Sequence, residues 1–557
     1  MSPFRSRLRY ALFFALAPLW GPGCDTSGAT FSSGVLSIVG TEGADSFVVS
    51  VAASGSIVVN GGVVAISGGV PTPANTVRIQ MQGLGGDDQL VVSGVAGSLP
   101  PAQLYGGPGA DVLVGGPGDD VIEGGTGDDD LFGGEGGDSF AWVPGDGLDT
   151  LEGQGGADTL SFTGSDASEN YDVYGLNGRA YVVRSVDAVT LDLGGVETIR
   201  CLARGGVDAI GVHDVTGTGV AAVTVDLAAA AGGGDDQSDT IYVSGTQGDD
   251  SVVLAQPAGE TQVLGLPATI RVVGHELSRD RLVLNVLGGA DEVDGASLPD
   301  TAIPLTVNGG LGIDTLVGGD GADQFVGGDG DDRVFMGPGD DTFTWNPGDD
   351  LDTVEGQEGS DTLRFNGSNV AETIEISANG ARTRLFRNVA TVTMDLNELE
   401  SIEYVGLGGA DLVFVRDLTG TGVAEVNVLL ALANGAGDAL ADSVFVDGTG
   451  QPDVVAVQGD GALTSVAGLA ARVDVTGVEA GLDSLVVSTI AGDDAIDASG
   501  VASSGPMLTL DGGDHHDTLI GGDGGDVLFG GDGDDVLLGG PGLDVLDGGT
   551  GNNVIVQ

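Results

Sequence analysis

A nine-residue repeat constrains the fold of this 557-residue chain more than any other feature of its sequence. Thirteen copies, in register within each block, occupy residues 106–141, 309–344 and 512–556. Asp is the sixth residue in twelve of the thirteen, with Asn553 as the exception, and the eighth residue is apolar in all of them. Gly is frequent in the first six positions, so each copy predicts a tight turn followed by a very short strand, whose central side chain enters a core.

A second repeat, of 203 residues, extends over most of the chain. The segment WVPGD at 142–146 recurs as WNPGD at 345–349, and TGTGV at 216–220 recurs at 419–423. Between the nonapeptide blocks, short Val- and Ile-rich runs bounded by Gly and Asp predict further strands. The Ala-rich segment 220–231 is the only one for which a helix is considered.

The charge balance limits the partners of the chain. It has 83 Asp and Glu against 18 Arg and no Lys, for a net charge of -65. Nucleic acids and anionic membranes are excluded as partners, since both require clustered cationic side chains. Apolar residues make up 41% of the chain, which is enough for a packed core and argues against disorder. Divalent cations are therefore the expected ligands.

The spacing of the repeat favours calcium among these cations. If two nonapeptides complete one coil, repeats n and n+2 lie one above the other at a strand spacing of about 4.8 Å. Their sixth-position carboxylates then lie on either side of a gap that suits calcium, with oxygen ligands at about 2.3–2.6 Å and turn carbonyls as further ligands. Magnesium requires stricter octahedral geometry, and zinc lacks its preferred ligands because the chain has only four His.

The tandem Gly-Gly-x-Gly-x-Asp-x-apolar-x units resemble the repeats-in-toxin (RTX), or hemolysin-type calcium-binding, family. The resemblance implies a parallel β-roll that holds Ca²⁺ in its turns. Variant turns at 153–158 and 356–361 extend two of the blocks. The ligands implied by the resemblance are Asp111, Asp120, Asp129, Asp138, Asp158, Asp314, Asp323, Asp332, Asp341, Asp361, Asp517, Asp526, Asp535, Asp544 and Asn553.

The predicted fold class is all-β. Calcium-binding β-rolls are expected within an elongated right-handed β-solenoid made of about two and a half tandem copies of the 203-residue unit. The predicted segments are a signal peptide at 1–23, β-rich segments at 24–105, 162–308 and 365–511, and calcium β-rolls at 106–161, 309–364 and 512–557.

The N-terminal sequence predicts export. Three Arg precede an apolar stretch from Tyr10 to Trp20, which is short for a membrane span. Cys24 follows a sequence that resembles a bacterial lipoprotein cleavage box, and an alternative cut after Ala29 is left open. The protein is thus expected outside a bacterial cell or on its surface, with a lipid on Cys24 as the only membrane attachment considered.

The leading functional hypothesis is a non-enzymatic calcium-binding protein that folds on binding calcium. A structural or adhesive role at a cell surface or matrix is expected. The alternative is an exported enzyme with an unrecognised active site in the β-rich segments. Against the alternative, His275-Glu276 lacks the second His of a zinc protease motif, and the chain contains no Gly-x-Ser-x-Gly. Trp142 and Trp345 are explained either as a carbohydrate-binding surface or as covers at the ends of the rolls.

Overall fold

Strands joined by turns form nearly all the regular structure of the described residues. The computed structural model describes residues 28–94 and 98–557, so the predicted signal peptide and Cys24 lie outside the described residues. Single-turn 3-10 segments occur at Asn60–Gly62, Val186–Ala188 and Pro257–Gly259. No helix in the described ranges is long and apolar enough to cross a membrane. The prediction of an all-β fold is confirmed.

The chain divides into two units, and the first comprises the described residues up to Thr163 together with Val189–Ile199. Its strands are Ala29–Ser32, Val35–Val39, Ser46–Val51, Ile57–Val59, Ile66–Ser67, Arg78–Gln82, Gln89–Val92, Ala102–Tyr105, Val112–Val114, Val121–Glu123, Asp130–Glu135, Ser139–Trp142, Thr150–Gly155, Thr159–Thr163 and Val189–Gly194.

The second unit comprises Gly164–Ala188 and Arg200–Gln557. Its strands, the first of which begins two residues before Arg200, are Thr198–Leu202, Asn170–Leu176, Arg179–Arg184, Ala209–Val212, Ala222–Asp226, Thr240–Ser244, Ser251–Ala255, Thr261–Leu264, Thr269–Val273, Arg281–Asn285, Glu292–Asp294, Leu305–Leu311, Thr315–Val317, Gln324–Asp329, Arg333–Phe335, Thr342–Trp345, Thr353–Glu355, Thr362–Asn366, Thr373–Asn379, Arg382–Arg387, Val392–Asn397, Ser401–Val405, Leu412–Val415, Glu425–Leu429, Ser443–Asp447, Val454–Gly459, Leu463–Ala467, Arg472–Thr476, Ser484–Ser488, Ala495–Val501, Met507–Asp511, Thr518–Ile520, Val527–Phe529, Val536–Leu538, Val545–Asp547 and Val554–Val556.

Nonapeptide strands pair in parallel with the strand two repeats later. In the first unit Leu113 is directly opposite Leu131, and Ile122 is opposite Phe140 in the other sheet. The last block has the same register, with Leu519 opposite Leu537. Successive nonapeptide strands thus alternate between two mostly parallel sheets, and two repeats complete one coil. This confirms the predicted β-roll within a solenoid.

The eighth-position side chains form the core of each roll, except that in the last block Leu546 is half-buried and Ile555 is exposed. Leu113, Ile122, Leu131 and Phe140, which the sequence places inside the first roll, are at most 1% exposed. Their flanking strand residues face outward or lie half-buried. Three-residue strands suffice here because only the central side chain of each has to be buried, and parallel neighbours on both sides satisfy the backbone.

The segments between the blocks add antiparallel strands to this plan. Arg382–Arg387 pairs antiparallel with Thr373–Asn379 on one side and with Val392–Asn397 on the other. The helix considered for 220–231 is not present: Ala222–Asp226 is a strand that pairs in parallel with Thr269–Val273. Alternating burial of its Val side chains outweighs the helix propensity of the neighbouring Ala residues.

Both explanations of the repeated Trp are wrong. Trp142 and Trp345 are at most 1% exposed, so neither forms a sugar-binding surface. Each lies inside a coil that continues, because the strand containing it pairs with a further strand. The Trp142 ring stacks on Phe162 with centroids 4.5 Å apart, and Trp345 stacks on Phe365 at 4.2 Å. These Trp are core residues.

Candidate calcium sites

The sixth residue of each nonapeptide lies in the turn, immediately before the strand. The side chain points inward rather than to solvent: thirteen of the fifteen predicted ligands are buried, with exposures of 0–4%, while Asp544 and Asn553 are half-buried. Burying an unpaired carboxylate is strongly unfavourable in water, so each of these positions requires partners.

One oxygen of each carboxylate has a regular partner in the backbone. The N–H of Asp111 donates to Oδ1 of Asp129 at 2.7 Å, and the N–H of Asp120 donates to Oδ1 of Asp138 at 2.8 Å. In the last block Asp517 donates to Asp535 in the same way, at 3.0 Å. We call this series, in which each backbone N–H bonds the carboxylate one coil later, the carboxylate ladder. It brings together the n and n+2 residues that the sequence pairs.

The second oxygen of most ladder carboxylates has no hydrogen-bond partner although it is buried. Among the predicted ligands this holds for Oδ2 of Asp111, Asp129, Asp138, Asp158, Asp314, Asp332, Asp341, Asp361, Asp517 and Asp535. By contrast, Oδ2 of Asp120, Asp323 and Asp526 accepts an N–H from the second residue of its own nonapeptide. Native structures rarely leave so many buried oxygens unsatisfied, so these oxygens are candidate ligands for a cation.

Glycine in the turn is required by the packing around these oxygens. A Cβ on Gly106 would collide with Oδ2 of Asp111 and with the carbonyl oxygen of Gly124 in the next coil. Carbonyl oxygens of the second and fourth turn residues also point toward the next coil, where a Cβ on Gly125 or Gly127 would collide with them. At Gly106 a carboxylate and a carbonyl oxygen thus share a space that the absence of a side chain keeps open, and further carbonyl oxygens line the turn toward the next coil.

These donors fit calcium. Nowhere in residues 28–94 and 98–557 do three His, Cys, Asp or Glu side chains form a metal-binding group, so carbonyl oxygens have to complete any site. A mixture of carboxylate and backbone carbonyl ligands in flexible geometry is typical of calcium. Structural zinc sites instead use mainly Cys and His ligands.

Electrostatics in the turns also favour a bound cation. Burial raises the pKa of Asp129 to about 8, and the negative charges of Asp149 and Asp111 contribute to the increase. Burial likewise raises the pKa of Asp341 to about 8, and the negative charges of Asp323 and Asp361 contribute to the increase. Without a metal ion such carboxyls would hold protons near neutral pH, whereas a divalent ion stabilises their ionised form.

The ladder extends beyond the residues that the repeat pattern identifies. The N–H of Asp129 donates to Asp149, and the N–H of Asp158 donates to Glu197. Further buried members outside the nonapeptides are Asp88, Asp208, Asp239, Asp280, Asp291, Asp352, Asp411, Asp442, Asp483 and Asp494. The signal that could have found them is an Asp placed two residues before a buried apolar residue at the start of a strand.

At one ladder position in each copy, an arginine supplies the positive charge. Glu169 is fully buried and forms an ion pair with Arg184, and its counterpart one period later, Glu372, pairs with Arg387. Glu372 also accepts hydrogen bonds from Ser368 and from the Tyr404 hydroxyl, at 2.7 and 3.3 Å. These pairs are not apparent from the repeat pattern, because hairpins bring the partners together across 15 residues.

Comparison with known protein families agrees with this geometry. The sequence model of the RTX calcium-binding nonapeptide repeat (4 copies) matches residues 105–140, 145–164, 308–343, 511–546 and 520–555. No curated protein matches the chain. The matched ranges overlap all three nonapeptide blocks, where the buried carboxylates and open turns lie. In several separate regions, therefore, the chain carries RTX, hemolysin-type calcium-binding nonapeptide repeats.

Proposed function

We propose that this is an exported protein that folds when its repeats bind calcium and that serves a structural or adhesive role at the cell surface. The observation that carries the proposal is the set of buried ladder carboxylates with an unpartnered oxygen. Each unsatisfied buried group costs about 1–3 kcal/mol. Ten of the predicted ligands are in this state. Without a cation, their combined desolvation cost equals or exceeds the net stability of a typical domain, which is about 5–15 kcal/mol.

The net charge of the chain supports the same conclusion. A charge of -65 opposes compaction through self-repulsion, and bound divalent ions would reduce it where the carboxylates are closest together. Because the chain binds calcium chiefly in the folded state, calcium stabilises that state by mass action. We expect affinities of about 10⁻⁴–10⁻³ M, as in other extracellular modules, so folding would follow export.

Export is supported by the sequence of residues 1–23 and by the typical secretion of proteins with RTX repeats. Lipidation of Cys24 belongs to the same proposal. The partner at a surface or in a matrix is proposed only as a class, because the repeats account for calcium and for no other ligand.

The proposal includes a non-enzymatic role. One group of three side chains is the strongest observation in favour of the enzymatic alternative. His213 lies between Asp172 and Ser244, at 3.0 and 3.1 Å, on neighbouring parallel strands. This composition resembles a Ser-His-Asp triad. The side chains of His213 and Asp172 are 41% and 51% exposed, and one period later Arg416 replaces His213 and pairs with Asp447 at 2.7 Å. Because an ion pair replaces the His213–Ser244 contact in the second copy, these positions are better explained as a structural contact between strands than as a catalytic group.

Calcium titration of the full chain tests the proposed function. Circular dichroism should show little β-structure in chelator, and calcium should restore the β-sheet signal, whereas magnesium at the same concentration should not. A β-sheet signal that is unchanged by chelation would refute calcium-dependent folding. Ester hydrolysis that disappears in Ser244→Ala would instead support the enzymatic alternative.

A further inference from the structure

We propose that three turns outside the nonapeptide blocks, residues 83–88, 286–291 and 489–494, each bind a calcium ion as part of the coil that precedes a block. We call them the flanking turns. They lie one 203-residue period apart and outside the ranges matched by the RTX repeat. The inference rests on the proposed function, because it extends the same kind of site to turns that lack the Gly-Gly-x-Gly pattern.

The flanking turns belong to the carboxylate ladder. The N–H of Asp88 donates to Oδ1 of Asp111 at 2.7 Å, directly joining the first flanking turn to the first nonapeptide. Asp291 donates to Asp314 at 2.8 Å in the second copy. Their strands pair in parallel with those of the nonapeptides, as Gln89–Val92 does with Val112–Val114. Each flanking turn is therefore stacked on a predicted calcium turn at the same register.

The backbone of the flanking turns follows the nonapeptide conformation despite unfavourable residues. Leu84, Leu287 and Ile490 have φ of 81°, 76° and 66°, at the position where the nonapeptides have Gly107 or Gly310 with φ of 110° and 101°. A bulky or β-branched residue in the left-handed region is unusual and costs about 1–3 kcal/mol. The surrounding structure thus imposes the calcium-turn conformation on sequences that disfavour it.

The oxygen atoms of the flanking turns occupy the same places as in the nonapeptides. The carbonyl oxygens of Leu84 and Gly86 face the positions where a Cβ on Gly107 or Gly109 would lie. The carbonyl oxygens of Gly107 and Gly109 face the next coil in the same manner. The carbonyl oxygens of Leu287 and Gly289 face Gly310 and Gly312 in the same way, and in the third flanking turn the carbonyl oxygen of Ile490 faces Gly513.

Each flanking turn also contains a buried carboxylate oxygen without a partner. Asp88 and Asp291 are 2% exposed and Asp494 is 3% exposed, and Oδ2 of all three lacks a hydrogen bond. Two independent features, the carbonyl set and the unpartnered oxygen, therefore point to the same ligand. Calcium is the ion that accepts both donor types in irregular geometry.

Substitution by Asn tests the proposal without removing the ladder bond. Asn553 shows why, since its Oδ1 accepts the N–H of Asp535 at 2.8 Å while its amide donates to the carbonyl of Gly548 at 2.5 Å. At Asn553 the amide nitrogen thus occupies the place of the unpartnered Oδ2 and donates an N–H to the turn, so of the predicted ligands this residue has only its neutral Oδ1 to offer an ion. We expect Asp88→Asn, Asp291→Asn and Asp494→Asn to preserve folding but to remove the anionic ligand.

The experiment measures bound calcium per full chain at saturating calcium, by equilibrium dialysis and elemental analysis. The combined Asn variant should bind about three ions fewer than the wild-type chain, one for each flanking turn. The control removes three exposed carboxylates, with Asp236→Asn, Glu292→Gln and Asp300→Asn, and should retain the wild-type number.

Several results would overturn the inference. A combined variant that binds as many ions as the wild-type chain, or a control that loses as many ions as the variant, would do so. If the combined variant does not fold, the three single variants decide, since each should lose about one ion and full retention by all three contradicts the proposal. A wild-type chain that binds no calcium would instead refute the proposed function itself.

Discussion

Replacing Arg387 with Met should destabilise the protein by about 3–5 kcal/mol, the cost of removing one partner from a buried ion pair. The Arg387 and Glu372 side chains are 4% and 0% exposed, so solvent cannot compensate the remaining carboxylate. Ser368 and Tyr404 still donate hydrogen bonds to it, which places the expected loss near the lower end of that range. Met keeps the packing over the Trp345 ring, where the guanidinium carbon now lies 5.2 Å from the centroid.

Urea unfolding of the full chain in saturating calcium measures this loss, and amide hydrogen exchange of residues 365–411 locates it. Arg364→Met is the matched control, because the Arg364–Glu403 pair is exposed by 46% and 29% and should contribute less than about 1 kcal/mol. The double variant Arg387→Met/Glu372→Gln should recover most of the stability, since it removes the buried charge. An Arg387→Met loss no greater than that of the control would refute the reasoning.

Three further predictions concern the ladder and the N-terminus. Asp535→Ala should weaken calcium-induced folding more than Asp544→Ala, because Asp535 is buried between two coils whereas Asp544 is half-buried, and equal midpoints in calcium titrations would contradict this. In calcium-free buffer the chain should gain β-structure by circular dichroism as pH falls from about 9 to about 5: folded pKa values near 8, as for Asp129, lie above the unfolded value of 3.8, so stability is lost as pH rises through the folded pKa. A β-sheet signal that decreases as pH falls would contradict this prediction. Cys24→Ala should block processing or release the protein from the detergent phase, whereas a secreted form that begins at Thr30 would exclude the lipid anchor.

The nonapeptide blocks were predictable because their contacts are periodic. Ladder partners such as Asp111 and Asp129 are 18 residues apart, so the sequence repeat directly gives the coil register and the side chains that line the core. Each unit also contains its own turn and strand, which leaves little for distant contacts to decide.

The remaining ladder residues could not be predicted from the sequence, because the connections between coils vary in length. Partners are 31 residues apart for Asp208 and Asp239, and 39 for Glu169 and Asp208. No fixed period relates them, and the excursions include hairpins that only the folded chain aligns. The helix considered for 220–231 failed for a related reason, since a parallel neighbour 47 residues later decides the conformation.

The two copies of the buried Glu–Arg pair differ in the position of the Tyr that donates a hydrogen bond to the Glu. Tyr171 donates its hydroxyl proton to Glu169 in one copy, and Tyr404 donates to Glu372 in the other, but the two Tyr are not period equivalents. One period away, Tyr171 corresponds to Ile374 and Tyr404 to Cys201. The phenol thus occupies non-equivalent strands in the two copies, and within each copy these two strands belong to different sheets, while the carboxylate keeps a hydroxyl donor. Divergence at this position has therefore been constrained by the hydrogen bonding of a buried anion and not by the identity of the residue that provides it.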